Sequence, residues 1–379
     1  MQKKLIAAAV AGLIAVPALA QTNVTISGRA VAGWESYRLS DCTTGFSCRS
    51  ESRVSDQSSR IIFNVNEDLG GGLKAWAQMD MRYANDLGGI GMTGNTGLGF
   101  MHNSWGKFTI GRWDVHYGEI DGAIGGNRAG SLQTLLGNGI MSQVSGTALT
   151  TLANGTRTPN LLMWDSPNWN GFTARLAYST SFAAGEGSGR SASGTPNPGG
   201  GHAWTGAVRY NNGPWTGGLS YWNGRTEARP AAAASSADQQ STRAWIGYTF
   251  AMGLKVGLAY DRSSIDMSAA VGDHRRSAWM LPVSYEFGPH KVYFSYARAG
   301  HTTNIANSGG NAWNIGYDYA FSKRTSAGVY YTKVNNKSGS FYDMFGLGVN
   351  GATATAFGED ARQIYIGMAH NFYSTLRVS

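Results

Sequence analysis

Long stretches of the chain alternate apolar residues with polar or small residues at every second position. In "LKAWAQMDMRY", residues 73–83, the apolar leucine, alanines and methionines share one parity, and the charged residues share the other. The segments "VTISGRAVAGW" (24–34) and "QIYIGMAHNF" (363–372) repeat this pattern. A period of two residues is that of a β-strand with one apolar face and one polar or small face. The pattern predicts an all-β fold.

The alternating segments are longer than strands of most soluble proteins. They run for about 9–12 residues, which suits a tilted strand that crosses a bilayer, whereas soluble strands have about 5–6. Tyr and Trp gather near their ends, as in "GPWTGGLSYW" and "VYFSY". Such rings suit a membrane interface because they have an apolar body and a polar tip. Both features argue against an ordinary soluble β-sandwich, which alternation alone would allow.

Short and long connections alternate along the chain. Short turns lie at 70–72, 106–107, 168–171, 211–214, 251–253, 288–290 and 322–324. Long polar segments lie near 39–57, 85–97, 114–157, 183–201, 226–240, 266–275, 300–310 and 335–360. These connections join 16 strands and place both chain ends on the short-turn side. The sequence therefore predicts a 16-stranded antiparallel transmembrane β-barrel with short periplasmic turns and long external loops. A barrel of this size encloses water.

The N-terminus has the three parts of a secretory signal. Lys3 and Lys4 precede an apolar run at 5–16, and "ALA" at 18–20 is a small-residue cleavage site. The run is too short for a spanning helix, which needs about 20 apolar residues. We expect a cleaved signal peptide at 1–20, a barrel at 21–372 and a C-terminal extension of unknown role at 373–379.

Charge and cysteine content narrow the function further. The formal net charge is +8, and loss of Lys3 and Lys4 leaves 29 basic against 23 acidic residues, or +6. The cations are scattered and the chain is exported, so nucleic acid is not an expected partner. Cys42 and Cys48 are expected to form a local disulfide, because an exported protein meets an oxidising compartment. The sequence suggests neither a metal site nor a cofactor.

Several motifs, spread in order over nearly the whole chain after the signal, resemble one known family. They are "VTISGRAVAGW", "SSRIIFNVNEDLGGGLKAWAQMD", "KFTIGRWDVHYGEIDG", "RTPNLLMWDSP" and "IYIGMAHNF". The sequence resembles the general porins of Gram-negative outer membranes, above all the basic, anion-preferring porins of β-proteobacteria. The resemblance implies a homotrimer of 16-stranded barrels in the cell outer membrane. It also implies passive diffusion of small hydrophilic solutes and inorganic anions, without catalysis or cofactor.

The same resemblance implies a third external loop that folds inward and faces a row of arginines. Arg29, Arg60, Arg112 and Arg157 stand at positions that resemble the family's basic constriction wall. Alternation agrees for Arg29 and Arg60, but Arg112 has the parity of the apolar face and would need a bulge at Gly111. Asp80 and Arg82 share the inner parity of their strand. They are therefore expected to extend the charged lining.

The third loop opens with "GRWDVHYGEIDGAIGGNRAG", residues 111–130. Its glycines do not have the spacing of a Rossmann or P-loop motif, and no strand–loop–helix context surrounds them. Asp114, Glu119 and Asp121 are instead candidates for the acidic side of the constriction. With the net charge of +6, the arginines predict modest anion selectivity that weakens at high salt.

Further partners are implied by the resemblance. They are outer-membrane lipid and lipopolysaccharide, and the barrel-assembly machinery. That machinery reads a C-terminal aromatic residue in such barrels, and Phe372 fits this role. Here, however, "YSTLRVS" follows Phe372.

Two other classes of protein remain open at this point. An outer-membrane barrel enzyme of the protease or phospholipase type would need a His beside Ser or Asp, and His116 lies near carboxylates in the sequence. A lectin-like or structural soluble β-protein is the third possibility.

Overall fold

The structure of the protein is a computed structural model. It describes residues 22–41, 48, 50–120, 140–144, 157–182, 201–225, 238–266, 272–340, 342 and 357–378. The expected signal peptide at 1–20 lies outside the described residues. Cys42 and Asp121 lie outside them too, so the disulfide with Cys48 and the pore role of Asp121 stay predictions.

The described residues form 18 strands, one 3₁₀ turn and a short helical piece at 140–141. The strands are β1 (Thr22–Ser40), β2 (Ser50–Asp56), β3 (Arg60–Gly70), β4 (Leu73–Tyr83), β5 (Ile90–Gly91), β6 (Thr96–His102), β7 (Gly106–Trp113), β8 (Thr158–Asp165), β9 (Phe172–Ser179), β10 (His202–Asn212), β11 (Trp215–Arg225), β12 (Asp238–Thr249), β13 (Leu254–Asp266), β14 (His274–Phe287), β15 (His290–Ala299), β16 (Gly310–Ala320), β17 (Thr325–Asn336) and β18 (Asp360–Val378). A 3₁₀ turn spans Tyr117–Ile120. Within the described ranges, no helix is long and apolar enough to cross a membrane.

Two of the barrel strands are interrupted, which reconciles 18 segments with a barrel of 16. β2 pairs with the second half of β1 and β3 with its first half, so together they fill one position beside β1. β5 and β6 both pair with β4 and likewise fill one position. The remaining strands pair in chain order, and β18 pairs with β1. The predicted closed, antiparallel 16-stranded barrel is confirmed.

The closing pair is long and fixes where the chain ends lie. β1 and β18 pair from Thr22 with Val378 to Ser40 with Asp360. Residues 373–378 therefore continue β18 beside the start of β1, and the ring of Phe372 covers Gly28. The role of Phe372 in assembly stays a prediction. Both described ends lie at the end of the barrel that carries the short turns.

The structure has seven short turns at this end, which is the number that the sequence predicts. They connect the strands at 71–72, 103–105, 166–171, 213–214, 250–253, 288–289 and 321–324.

Alternation along the strands separates the two faces of the barrel wall. In β4, Met79 is 42% exposed on the outer face, whereas Trp76 and Asp80 of the opposite parity are buried. In β18, Ile364 and Ile366 are exposed on the outer face. The apolar residues thus face outward, as expected for a wall in contact with lipid.

Glycines on the inner face make room for a row of tyrosine rings. Gly33 of β1 is opposite Gly367 of β18, and the ring of Tyr365 lies over both glycines. The centroid of the Tyr365 ring is 6.1 Å from that of Tyr330. A side chain at either glycine would have to displace the Tyr365 ring, so these positions are constrained by close approach.

We predict that Gly367→Ala destabilises the barrel by about 1–3 kcal/mol, because the new methyl group overpacks against Tyr365. The matched control is Gly206→Ala in β10, where the nearest side-chain atom would be 3.6 Å from the new carbon. Heat-dependent gel mobility of the folded barrel measures the effect. Equal melting temperatures for the two variants would contradict the packing assigned to Gly367.

Candidate functional site

Three arginines form a row across neighbouring strands on the inner face of the barrel. Arg29 of β1 is opposite Arg60 of β3, and Arg60 is opposite Arg82 of β4. Side chains at directly opposite positions have Cβ atoms about 4.5–5.5 Å apart. The fold therefore brings three predicted lining residues side by side. We call these three residues the arginine row.

One buried carboxylate partly balances the arginine row. Asp80 is only 2% exposed. Its Oδ1 lies 2.9 Å from Arg82 Nε and its Oδ2 lies 3.0 Å from Arg82 Nη2, which is a two-pronged ion pair. The Nη1 of Arg60 is 3.8 Å from Asp80 Oδ2. Three guanidinium groups thus share one close carboxylate, and the row keeps an excess of positive charge.

The break between β2 and β3 supplies further acceptors to the arginine row. Arg29 Nε donates to the carbonyl of Ser58 at 3.2 Å, and Arg82 donates to the Ser58 hydroxyl. Ser58 has a φ of +73°, and Asp56 accepts from its backbone N–H at 2.8 Å. Arg29 has no salt bridge with a described residue. Asp56 and Asp80 attract its charge without forming a salt bridge with it.

Arg157 and Asp114 meet at the neck of the third loop. This loop, loop 3, is the segment 114–157 between β7 and β8. The backbone N–H of Arg157 donates to Asp114 Oδ1 at 2.7 Å, and Arg157 Nε lies 3.9 Å from the same oxygen. Both side chains interact electrostatically with Arg60. The neck of loop 3 therefore adjoins the arginine row.

Arg112 differs from these groups in the face of the wall to which alternation assigns it. Lys107 and Trp113 both point inward, since both lie against the buried Trp76. The Lys107 Nζ is 3.4 Å from the Trp76 ring centroid, and the Trp113 ring centroid is 5.8 Å from it. Alternation in β7 thus runs unbroken to Trp113 and sets Arg112 on the opposite face. The register with β8 does shift between Gly111 and Trp113, but the extra residue is in β8. Arg112 as a constriction residue stays a prediction without support from alternation.

Glu119 lies against the barrel wall, bound by two arginines. Glu119 is 6% exposed, and its carboxylate accepts from Arg175 at 3.3 Å and from Arg209. Arg175 also binds Asp165 at 2.7 Å. Since Arg175 and Arg209 belong to β9 and β10, Glu119 fastens the start of loop 3 to these strands. Its role as an acid facing the pore stays a prediction.

A second anchor holds a later part of loop 3. Arg243 of β12 donates to the carbonyl of Met141 at 3.1 Å, and Arg276 of β14 donates to the carbonyl of Gln143 at 2.6 Å. Asp261 of β13 lies between the two guanidinium groups, 2.7 Å from Arg243 and 2.8 Å from Arg276. All three side chains are buried. They stabilise each other while the arginines bind loop carbonyls.

His116 occupies a fully buried position in loop 3. Its Nδ1 lies 2.6 Å from the Ser220 hydroxyl and its Nε2 lies 2.8 Å from the Ser241 hydroxyl. Burial, and then the charge of Arg243, lower the pKa of His116 well below its usual range. Ser241 also donates to Asp261 at 2.8 Å. His, Ser and Asp thus come together in a buried position, where their hydrogen bonds join loop 3 to β11, β12 and β13.

The arginine row and the residues that hold loop 3 on β11, β12 and β13 face each other across the lumen. In a ring of 16 barrel positions, positions eight apart are opposite, so β1, β3 and β4 lie opposite β11, β12 and β13. The first set carries the arginine row, and the second carries Ser220, Arg243 and Asp261. Loop 3 is thus pinned to the wall opposite the arginine row.

The anchor residues could have been recognised from alternation in the sequence. Arg175, Arg209, Arg243 and Arg276 all have the inward parity of their strands. Trp204 and Val208, for example, are exposed on the outer face of β10, which turns Arg209 inward. A charged residue with inward parity is the sequence feature that indicates such an anchor. The sequence does not show that Glu119 is the partner of Arg209, because no local spacing links these two residues. In the part of the chain that the structure describes, no cluster of His, Cys, Asp and Glu could hold a metal.

We predict that Glu119→Gln loosens loop 3, because Arg175 and Arg209 lose their charged partner in the loop. Loss of about 2 kcal/mol raises the released fraction about 30-fold. Proteolysis of loop 3 in the folded barrel measures this fraction. The control is Asp165→Asn, which removes a carboxylate from the same arginines without touching the loop. Equal proteolysis of both variants would show that Glu119 is not an anchor.

Acid should loosen loop 3 through His116. Since the docked state lowers the pKa of His116, the released loop binds more protons below about pH 6.5. Docking is therefore fully stable above this pH and weakens as the pH falls below it. Single-channel closures counted between pH 7.5 and pH 4.5 should increase in the wild type. They should increase less in His116→Gln, which keeps a neutral hydrogen-bonding side chain; equal acid sensitivity would exclude His116 as the cause.

Comparison with known proteins agrees with this architecture. The sequence model of the Gram-negative porin family matches residues 7–339. Major outer membrane protein P.IB of Neisseria lactamica is 25% identical over 343 residues, 86% of this chain and 91% of that protein. An outer membrane porin protein of Bordetella pertussis is 25% identical over 345 residues, 83% of this chain and 82% of that protein.

Two solved structures share the fold at lower sequence identity. The anion-selective porin from Comamonas acidovorans has a TM-score of 0.69 and 21% identity, covering 93% of this chain and 100% of that chain. The trimer form of OmpT from Vibrio cholerae has a TM-score of 0.65 and 15% identity, covering 93% of this chain and 99% of that chain. Because the family model matches far more than half of the sequence, the chain belongs to the Gram-negative porins and is a protein of the outer membrane.

Proposed function

We propose that this porin is a passive diffusion channel for small hydrophilic solutes and ions, with a modest preference for anions. The arginine row carries the proposal. Arg29, Arg60 and Arg82 stand in register on the inner face, with one close carboxylate among them. Family membership supports the channel itself, while the charge balance of the lumen supports the preference for anions.

The selectivity follows from fixed charge beside water. Guanidinium groups keep their charge at any physiological pH. A wall of low dielectric focuses their field into the lumen, which raises the local concentration of anions. The formal charge of +6 after signal cleavage has the same sign. Salt shortens the reach of the field, so the preference is expected to weaken as the salt concentration rises.

Loop 3, which is bound to the barrel wall, narrows the channel. Loop 3 is fastened at Glu119, His116 and the segment 140–144. The partners of His116, Ser220 and Ser241, lie on strands opposite the arginine row, and the partners of the other two anchors lie on these or adjoining strands. Solutes therefore pass between the loop and the row. Polar solutes can orient in the field across this gap, whereas apolar solutes would have to displace oriented water.

We also propose that three copies assemble into a homotrimer. Support comes from the fold shared with the OmpT structure, which is described as a trimer form. The preference for anions is likewise in line with the anion-selective porin from Comamonas acidovorans. Diffusion through such a barrel involves no chemical reaction and no cofactor.

Arg29→Gln tests the role of the arginine row, because Arg29 is charged without a salt-bridge partner among the described residues. A unit charge about 8 Å from a permeating ion changes its energy by about 0.5 kcal/mol in water, or about twofold in permeability. Chloride and potassium change in opposite directions, so the chloride-to-potassium permeability ratio should fall about fivefold. Reversal potentials in a KCl gradient across a planar bilayer measure the ratio.

The control for this measurement is Arg298→Gln. Arg298 lies on the outer face of β15 and is exposed there, so the variant loses the same charge outside the lumen. Its permeability ratio should equal that of the wild type. Cation preference in the wild type, or equal shifts in both variants, would contradict the proposed role of the row.

A further inference from the structure

Lys107 of β7 is held over aromatic rings in the lumen instead of beside a carboxylate. Its Nζ lies 3.4 Å from the centroid of the Trp76 ring and 5.1 Å from that of the Trp113 ring. The two rings are nearly perpendicular, with an interplanar angle of 87° and centroids 5.8 Å apart. A cation within about 6 Å of a ring centroid is attracted by the negative face of the ring. We call the rings of Trp76 and Trp113 the aromatic cage.

The barrel wall fixes the position of the aromatic cage. Trp76 belongs to β4, and its Nε1 donates to the carbonyl of Phe108 on β7 at 3.1 Å. The indole thus reaches across β6, where Gly99 is opposite Trp76 and has no side chain in its way. Trp76 is only 6% exposed. Its ring is therefore fixed along the wall, and the ammonium group of Lys107 lies over the ring face.

The carboxylate opposite Lys107 is engaged by two arginines. Asp165 of β8 is directly opposite Lys107. Its Oδ1 lies 2.7 Å from Arg175 Nε and 3.7 Å from Arg209 Nη1, and its Oδ2 lies 3.1 Å from Arg175 Nη2. Asp165 attracts the charge of Lys107 and Arg175 repels it. Among the described residues, no carboxylate forms a salt bridge with Lys107, so its charge remains available to an anion in the lumen.

Lys107 lies nearer the periplasmic end of the barrel than the arginine row does. It is the second residue of β7, directly after a short turn. Trp76, which it contacts, and Arg82 of the arginine row are six residues apart on β4 (76 to 82), which is about 20 Å along the strand. Lys107 is half-buried, so part of its inward side chain is open to the lumen. An anion on the periplasmic side of the arginine row therefore meets a further fixed cation.

We propose that the aromatic cage makes Lys107 a second anion-attracting site, on the periplasmic side of the arginine row. Trp76 and Trp113 are positioning residues: their rings hold the ammonium group and leave its charge unneutralised. A carboxylate in their place would hold Lys107 as well, but it would cancel the charge that a passing small anion meets. This inference rests on the proposed preference for anions and adds to it a second site and the residues that position it.

Trp76→Leu removes one ring of the cage without changing any charge. The ammonium group of Lys107 then moves toward Asp165, which neutralises part of its charge. The chloride-to-potassium permeability ratio should therefore fall, although Lys107 is still present. Trp76→Phe keeps an aromatic face and should retain most of the wild-type ratio.

Lys107→Met gives the full effect of losing the charge. A unit charge about 12 Å from the permeating ions changes chloride and potassium nearly twofold each in water, in opposite directions, so the ratio should fall about threefold. Reversal potentials in a KCl gradient across a planar bilayer measure the ratio. If Trp76 acts through Lys107, the double variant Trp76→Leu with Lys107→Met will have the same ratio as Lys107→Met alone.

Trp164→Leu is the matched control. The Nε1 of Trp164 also donates to a backbone carbonyl, that of Trp105 at 2.7 Å. Trp164 has the parity of Leu162, which is exposed on the outer face of β8. The variant thus loses the same side chain outside the lumen, and its ratio should equal that of the wild type. Heat-dependent gel mobility shows that each barrel is folded. Should Trp76→Leu not fold, Trp113→Leu takes its place, because its ring completes the cage.

Several results would overturn the inference. A ratio unchanged by Lys107→Met would mean that this cation does not act on permeating ions. A fall caused by Trp76→Leu that is equally large with and without Lys107 would mean that Trp76 acts by another route. An equal fall in Trp164→Leu would reflect the loss of any wall tryptophan. Cation preference of the wild type would instead contradict the proposed function itself, so the two failures are distinguishable.

Discussion

The need to pair every backbone N–H and C=O group inside the membrane governs the rest of this structure. A sheet in lipid cannot leave an edge unpaired, because each bare polar group costs several kcal/mol there. The chain meets this need by pairing β1 with β18 from Thr22 and Val378 to Ser40 and Asp360. Closure then fixes the register of each strand against the next. The positions of the charged side chains follow from that register.

Register produces two rows of cations on the two faces of the same wall. Arg29, Arg60 and Arg82 meet on the inner face, where water and Asp80 accommodate them. Arg38 and Arg362 meet on the outer face. A shift of one residue would exchange the faces of every side chain in a strand. The same backbone constraint therefore determines which charges face the lumen and which face outward.

The anchors of loop 3 show how a buried charge network can hold a loop in a wide barrel. Arg243, Asp261 and Arg276 are buried, and removing ions from water is costly unless they are paired and hydrogen-bonded. Here the arginines bind both Asp261 and loop carbonyls, so each charge is compensated. Breaking one member of such a network leaves an uncompensated buried charge, so the network opposes displacement of residues 141–143. The proposed narrow part of the channel rests on these contacts.

The sequence alone was sufficient to predict the barrel wall, but it predicted only part of the candidate site. Alternation and the spacing of turns predicted 16 strands, and they placed Arg29, Arg60 and Arg82 on one face. They did not predict the break around Ser58, because it depends on Asp56 accepting from nearby backbone N–H groups.

Contacts within the site were harder to predict from local patterns. Glu119 was expected to face the pore. Its contacts with Arg175 and Arg209 could not be predicted, because they depend on how loop 3 folds back against the wall. Its partners lie on strands far along the chain, and such pairing is set by the closed barrel rather than by local sequence.

Crystals of the folded barrel soaked in sodium bromide would test the central claim most directly, because bromide is a permeant anion with an anomalous signal. If the arginine row forms the anion-attracting side of the lumen, bromide peaks will lie beside Arg29, Arg60 and Arg82. In Arg29→Gln crystals, the peak nearest that position will weaken. Bromide found only outside the lumen, with none at the arginine row, would contradict the claim.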